Sequence, residues 1–209
     1  MLQAEFFFDF SCPWTYLACA RLREAAMRTG AEIIWKPFAL VDLDPAMGAR
    51  EARLDSAPER ASWQLQDLRD WARYCDLPLE LPADWPCEAR AALRGAVFAA
   101  EEKRAAAYVT GVFAALYGQG RNITAADELA DIATAAGLDA AAFGQALGTD
   151  ETAAALARNA AELRSRGGFR SATLFVGDAM YCGNSRMPLV EFELAQASGR
   201  SFVMPGQHN

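Results

Sequence analysis

Cys12 is the residue of this chain whose type and position most clearly suggest chemistry. It lies within Phe10-Ser11-Cys12-Pro13-Trp14-Thr15, directly after an apolar run that begins at Glu5. Ser11 and Pro13 are typical of a helix start, so the sulfur is expected to face the first N–H groups and the positive end of the helix dipole. Such surroundings favour thiolate over thiol and make a cysteine reactive without a base. The alternative interpretation is that Cys12 is one more small buried residue.

The residues that the chain lacks exclude other kinds of catalysis. Its one histidine is His208, next to the last residue. Ser-His-Asp and Cys-His machinery needs a histidine beside the nucleophile, and His-ligated metal sites need more than one. The five cysteines are scattered and include no Cys-x-x-Cys pair, so we predict neither a metal site nor a dithiol. Most of these cysteines are expected to be buried in a reducing compartment.

The overall charge and hydropathy also limit the function. A net charge of −7 argues against a nucleic-acid partner, because phosphate binding needs clustered cations. The first residues show neither a basic leader nor a small-residue cleavage site, and the apolar runs are too short for a membrane span. We therefore expect a cytoplasmic protein with no membrane partner.

The elements that must position Cys12 follow from apolar spacing and from glycine and proline. A strand over residues 5–10, a helix ending at Gly30 and a strand over 31–38 give a β-α-β opening. Helical spacing then dominates from Pro58 to Gly167. The last part is a hairpin over residues 172–182, turning at Gly177-Asp178, and a helix that starts near Ser185. The pattern predicts an α/β domain, residues 1–50 and 167–209, with an all-helical insertion, residues 51–166.

The segment Phe8–Ala18 resembles the opening of the DsbA-like thioredoxin superfamily, in particular the 2-hydroxychromene-2-carboxylate isomerases and kappa-class glutathione transferases. In that branch an aromatic-Asp-aromatic strand leads into Ser-Pro-aromatic-x-Tyr/Trp-Leu. Further pieces match in order along the chain: Lys36-Pro37-Phe38, Asp67-Leu68-x-x-Trp71-Ala72, Gly120-Arg121-Asn122-Ile123, Arg166-Gly167-Gly168-Phe169 and Gly183-Asn184-Ser185-Arg186. The resemblance implies a thioredoxin-like fold, glutathione as cofactor, a small conjugated or aromatic substrate and a homodimer.

Within this resemblance Cys12 takes the place of a serine that holds the glutathione sulfur. A thiol can donate a hydrogen bond to that sulfur, and it can also form a mixed disulfide, which serine cannot. The disulfide oxidoreductases of the superfamily have Cys-Pro-x-Cys, but the second position is Thr15 here. Ser11 and Trp14, which flank Cys12-Pro13, are predicted to belong to the glutathione site.

Two other segments depart from the family pattern. Ser171-Ala172-Thr173 stands where the superfamily has a hydrophobic residue, a cis-proline and threonine. A cis bond before a residue other than proline costs roughly 2.5–4 kcal/mol, so we expect the cis bend at Ala172 to be lost. Asn184 and Ser185 match the polar pair that holds the γ-glutamyl end of glutathione, but without its carboxylate. Alternatively, this pair only caps the last helix.

Three functional hypotheses follow. The first is a glutathione-dependent isomerase or transferase in which Cys12 acts on the glutathione sulfur, Ser171 and Ala172 hold the middle of the tripeptide, and Asn184 and Ser185 hold its γ-glutamyl end. The second is a monothiol thiol-disulfide oxidoreductase with Cys12 as nucleophile. The third is a non-catalytic binding protein that retains the same scaffold.

Overall fold

The computed structural model describes residues 1–43, 54–83 and 85–199, and its centre is a four-stranded mixed sheet. The strands are β1 Gln3–Phe8, β2 Glu32–Pro37, β3 Thr173–Val176 and β4 Ala179–Cys182. Their spatial order is β2-β1-β3-β4. β1 pairs in parallel with β2 and antiparallel with β3, and β3 turns directly into β4. The predicted β-α-β opening and the late hairpin are both confirmed.

Helices cover the sheet and fill most of the chain between β2 and β3. They are α1 Pro13–Thr29, α2 Leu40–Leu43, α3 Pro58–Tyr74, α4 Arg90–Glu101, α5 Ala105–Phe113, α6 Ala126–Ala135, α7 Ala140–Ala146, α8 Asp150–Ser165 and α9 Met187–Ser198. A π-helical turn, Ala114–Gly118, continues α5, and a 3-10 turn, Asn184–Arg186, precedes α9. This order confirms the predicted α/β fold with its long helical segment.

The central strand β1 is buried on both faces, as its nearly continuous apolar run predicts. Phe6 and Phe8 point into the larger core, whereas Phe7 points to the opposite face and packs edge-on against Phe175. Alternate residues of a strand face opposite sides of a sheet, so one phenylalanine run supplies both cores. The strand that leads to Cys12, four residues beyond its end at Phe8, is therefore anchored in both cores.

Helix α1 starts and ends where the sequence predicts. Pro13 is its first residue, a position at which the missing N–H costs nothing, and Gly30 ends it with φ +74° in the left-handed region. Its buried face includes Leu17 and Leu22, which belong to the same core as Leu194 of α9. This packing holds the start of α1 in place against the sheet.

The helical segment packs closely on itself and shares the larger core with the sheet. A Cβ built on Gly95 of α4 would lie 2.3 Å from the Tyr108 hydroxyl and 2.7 Å from the Phe143 ring, so only glycine lets these groups approach. Phe113 of α5 contacts both Phe8 and Phe10. The helical segment between β2 and β3 is thus packed against the strand that leads to Cys12.

The predicted boundary between residues 50 and 51 lies outside the described residues, and the division into two domains stays a prediction. None of the helices in the described ranges is both long and apolar enough to cross a membrane.

Candidate active site

Cys12 is the residue that immediately precedes α1. Its backbone is extended, with φ −99° and ψ 114°, and its carbonyl accepts a 3.0 Å hydrogen bond from the Thr15 N–H in the first turn. Only 2% of Cys12 is exposed. The predicted location of this thiol at the junction between strand and helix is confirmed.

The sulfur points to a different partner from the one that the sequence suggests. Cys12 Sγ donates to the carbonyl oxygen of Ser171 at 3.6 Å, and the Cys12 side chain makes no capping hydrogen bond to α1. Pro13 has no N–H to offer, and the N–H of Thr15 is already bonded to the Cys12 carbonyl. The Cys12 side chain therefore does not cap α1, and Cys12 acts here as a hydrogen-bond donor to Ser171. That the positive end of the helix dipole favours the thiolate stays a prediction.

Ser171 joins three separate segments beside this thiol. Its hydroxyl oxygen accepts a 2.8 Å hydrogen bond from the Asp9 N–H and lies 2.8 Å from the Thr15 hydroxyl. Thr15 stands at the last position of the Cys-Pro-x-Cys motif that the resemblance to disulfide oxidoreductases implies. Its hydroxyl, in place of a second thiol, links α1 to Ser171. All three residues are buried.

The peptide bond between Ser171 and Ala172 is cis, which contradicts the prediction that the cis bend is lost without proline. Neighbouring groups hold both sides of the bond. Asp9 and Thr15 bind the Ser171 side chain, and the Ala172 carbonyl accepts a 2.8 Å hydrogen bond from the Gly183 N–H. The prediction rested on the general cost of such a bond alone and took no account of these contacts.

Asp9 is a buried carboxylate that fixes the loop carrying Cys12, and sequence reasoning gave it no role of its own. Its Oδ1 accepts from the Ser11 N–H at 2.8 Å, and its Oδ2 accepts from the Leu40 N–H at 2.6 Å. Burial raises the pKa of Asp9, while these two N–H donors act in the opposite direction. The sequence signal that could have revealed this role is the presence of a carboxylate within an apolar run.

Aromatic side chains from the helical segment hold the other side of the same loop. The Tyr117 hydroxyl donates to the Phe10 carbonyl at 2.8 Å, and Trp85 Nε1 donates to the Ser11 carbonyl at 3.3 Å. Burial raises the pKa of Tyr117 well above its ordinary value, and the nearby thiols of Cys12 and Cys87 act in the same direction. Neither aromatic residue follows a local motif, so sequence reasoning missed both.

The remaining predicted residues differ in how they are placed. Asn184 is 3% exposed and begins the 3-10 turn, which the Gly183–Ala172 hydrogen bond ties to the cis segment. Ser185 is exposed, and Trp14 is half-buried against the larger core. Ser11 contributes its backbone N–H and carbonyl to the loop. The structure thus joins Cys12, Ser171, Ala172 and Asn184 in one connected region and leaves Ser185 on the surface.

Asn184 has one side-chain atom that the fold does not use. Its Oδ1 accepts from Arg21 at 3.3 Å, but its buried Nδ2 has no hydrogen-bond partner in the part of the chain that the structure describes. The last-helix cap that the sequence offers as an alternative is not formed by this residue, because Arg186 is the N-cap of α9 and makes no side-chain capping bond. A buried donor without a partner suits a ligand oxygen.

A four-stranded sheet in the order β2-β1-β3-β4 and a thiol directly before α1 are the features expected of a thioredoxin-type protein. The DSBA-like thioredoxin domain model matches residues 3–195, and the chain belongs to this family. A 2-hydroxychromene-2-carboxylate isomerase of Pseudomonas putida is 30% identical over 94% of this chain and 94% of its own. The enzyme of the same name from Sphingobium xenophagum is 28% identical over 90% of this chain and 95% of its own.

A solved structure of a 2-hydroxychromene-2-carboxylate isomerase also superimposes on the chain. It gives a TM-score of 0.80 at 27% sequence identity and covers 94% of this chain and 96% of its own. These relatives confirm the predicted family and support an isomerase-like enzymatic function.

Proposed function

We propose that this protein is a glutathione-dependent isomerase or transferase that acts on a small conjugated or aromatic substrate. The observation that carries the proposal is the Cys12 thiol acting as a hydrogen-bond donor, 3.6 Å from the Ser171 carbonyl beside the cis bond. Because its relatives are named for it, 2-hydroxychromene-2-carboxylate is the first substrate to test.

The residues present fit glutathione in two places. The unpartnered Nδ2 of Asn184 is a buried donor for a carboxylate oxygen of the γ-glutamyl end. The backbone around Ser171 and Ala172 is adjacent to Cys12 and would hold the middle of the tripeptide. When bound, glutathione supplies a thiolate that adds reversibly to a conjugated double bond and permits rotation or ring opening.

The protein's own contribution is to position and stabilise that sulfur. Cys12 turns its S–H from the Ser171 carbonyl to the incoming sulfur, and a hydrogen bond to an anion is stronger than one to a neutral carbonyl. Asp9 and Ser171 keep the loop rigid by occupying the backbone groups around it. The burial of the site excludes water and so strengthens these interactions.

Titration calorimetry with reduced glutathione tests the proposal. We expect saturable binding that Cys12→Ala weakens and that Cys12→Ser retains, because serine also offers a donor. Cys19→Ala is the matched control, since this thiol lies within α1 and belongs to the hydrophobic core. Absence of heat at millimolar glutathione in the wild-type protein would sink the proposal.

A second candidate function is a monothiol oxidoreductase, which is favoured by the Cys12 thiol at a position where the resemblance to the isomerase branch implies serine. In that reaction the Cys12 thiolate attacks oxidised glutathione, one S–S bond breaks as another forms, and one reduced glutathione leaves. Mass spectrometry after incubation with oxidised glutathione should then show a single adduct at Cys12 that Cys12→Ser abolishes. A folded protein with neither binding nor adduct would be a non-catalytic member of the family.

A further inference from the structure

Arg21 is an arginine in the middle of α1 whose side chain is only 8% exposed. Arginine is rarely buried unless it is paired. Nη1 donates to the Asn184 carbonyl at 3.1 Å and to Asn184 Oδ1 at 3.3 Å, and Nη2 lies 3.7 Å from a carboxylate oxygen of Glu191. The guanidinium carbon is 5.3 Å from the centre of the Trp71 ring. Arg21 therefore connects α1, the 3-10 turn, α9 and the inserted helix α3.

These contacts determine which way the Asn184 amide faces. A guanidinium offers donors only, so the atom of Asn184 that faces it must be the acceptor, Oδ1. The amide Nδ2 then points away from Arg21, and it is the atom left without a partner among the described residues. Rotation of the amide would place two sets of donors against each other.

The charge of Arg21 is already partly balanced within the protein. Glu191 contacts Arg21 and also lies 3.5 Å from Arg28, and both positive charges counteract the rise in the pKa of Glu191 that burial causes. The Asn184 amide, rather than the guanidinium, is therefore the group available to a ligand at this turn. The Gly183–Ala172 hydrogen bond places that turn beside the Cys12 region.

We propose that Arg21 is a positioning residue for ligand recognition. By holding Asn184 Oδ1, Arg21 presents Nδ2 to a carboxylate oxygen of a γ-glutamyl group, and Trp71 and Glu191 hold Arg21 in turn. This inference rests on the proposed function, because it specifies how glutathione is distinguished from shorter thiols.

The test compares glutathione with cysteinylglycine, which lacks the γ-glutamyl group. Calorimetry gives the ratio of the two affinities for the wild-type protein, Arg21→Met, Arg21→Lys and Asn184→Ala. Arg21→Met and Asn184→Ala should each lower the ratio roughly tenfold, the effect of one hydrogen bond to a charged group, with cysteinylglycine affinity unchanged. The Arg21→Met/Asn184→Ala double variant should lose no more than either single variant, since both act through one contact.

Arg21→Lys should lower the affinity ratio less than Arg21→Met. The lysine ammonium can still donate to Asn184 Oδ1, although it cannot bond the Asn184 carbonyl at the same time. Arg23→Met on the same helix is the control and should leave the ratio unchanged. If Arg21→Met does not fold, Arg21→Lys and Asn184→Ala still carry the test. The inference about Arg21 would be overturned, with the proposed function intact, by either of two results. One is an unchanged affinity ratio in folded Arg21 variants, and the other is an equal loss of affinity for glutathione and cysteinylglycine. Failure of the wild-type protein to bind glutathione would overturn the proposed function with it.

Discussion

One cysteine stands directly before the first turn of helix α1 and another lies in its second turn, and the two are almost equally buried. Cys12 is 2% exposed and Cys19 is 3% exposed. Cys12 faces the carbonyl of Ser171, in a region crossed by hydrogen bonds from Asp9 and Thr15. Cys19 lies in the larger apolar core, where burial raises its pKa to about 12.

The difference shows that burial alone does not make a cysteine inert or functional. At the start of the helix, the Ser171 carbonyl of a distant segment gives the sulfur a hydrogen-bond partner. Two turns later, the same residue type belongs to the larger hydrophobic core and behaves as a small hydrophobic group. Four predictions test this contrast, in order of decreasing expected effect.

The largest expected effect is on catalysis. Cys12→Ala should lower kcat/KM of the proposed glutathione-dependent reaction roughly 10²–10³-fold, as expected for the loss of one donor to a reacting anion. Cys19→Ala should leave kcat/KM nearly unchanged, because Cys19 is buried in the larger hydrophobic core. Steady-state kinetics of both variants measures this. Equal losses of kcat/KM in the two variants would mean that the different surroundings of Cys12 and Cys19 do not matter for function.

Ser171→Ala should lower the free energy of unfolding by about 1–3 kcal/mol, because the buried Asp9 N–H loses its acceptor. Urea denaturation of both proteins gives the difference. Ser165→Ala is the control, since its exposed hydroxyl donates only to a carbonyl of its own helix. A Ser171→Ala variant as stable as the control would show that the polar contacts around the first turn are dispensable.

The raised pKa of Cys19 predicts a dependence of stability on pH. The folded protein holds this proton more tightly than the unfolded chain, whose thiol has the ordinary value of 9.0, so stability is lost as pH rises from 9.0 towards about 12. Between pH 8 and pH 10, Cys19→Ala should gain about 1.4 kcal/mol relative to the wild-type protein. Urea denaturation at both pH values checks this, and a constant difference would contradict it.

The smallest expected effect comes from Thr15. Thr15→Val keeps the shape of the side chain but removes its hydrogen bond to the Ser171 hydroxyl, at a cost of about 0.5–1.5 kcal/mol in unfolding free energy. Thr29→Val, in the last turn of α1, removes a hydrogen bond within the helix and serves as the comparison. A larger loss of unfolding free energy in Thr29→Val than in Thr15→Val would contradict the prediction that the polar contacts at the start of α1 contribute more to stability.

Local patterns were sufficient for the parts of the fold that depend on neighbours in sequence. The phenylalanine run of β1, Pro13 and Gly30 around α1, and the Gly177-Asp178 turn each carry their signal within a few residues. The location of Cys12 before α1 follows from the first two. The order of elements was therefore predictable without knowledge of the tertiary contacts.

The partners of Cys12 could not be predicted in this way. Ser171 is separated from Cys12 by 159 positions, and Arg21 from Asn184 by 163. Tyr117 reaches the Phe10 carbonyl across 107 positions. No local propensity contains information about such pairs, and the cis bond at Ala172 was mispredicted for the same reason.

The sequence by itself determined that a lone thiol stands at a strand-to-helix junction of an α/β protein, because strand, helix and turn preferences act over short distances. Only the tertiary structure decided what that thiol meets. The packing of α1 against the sheet and α9 brings the Ser171 carbonyl to the sulfur and Arg21 to the Asn184 amide. The position of a hydrogen-bond partner depends on how distant segments pack, and no local preference fixes it.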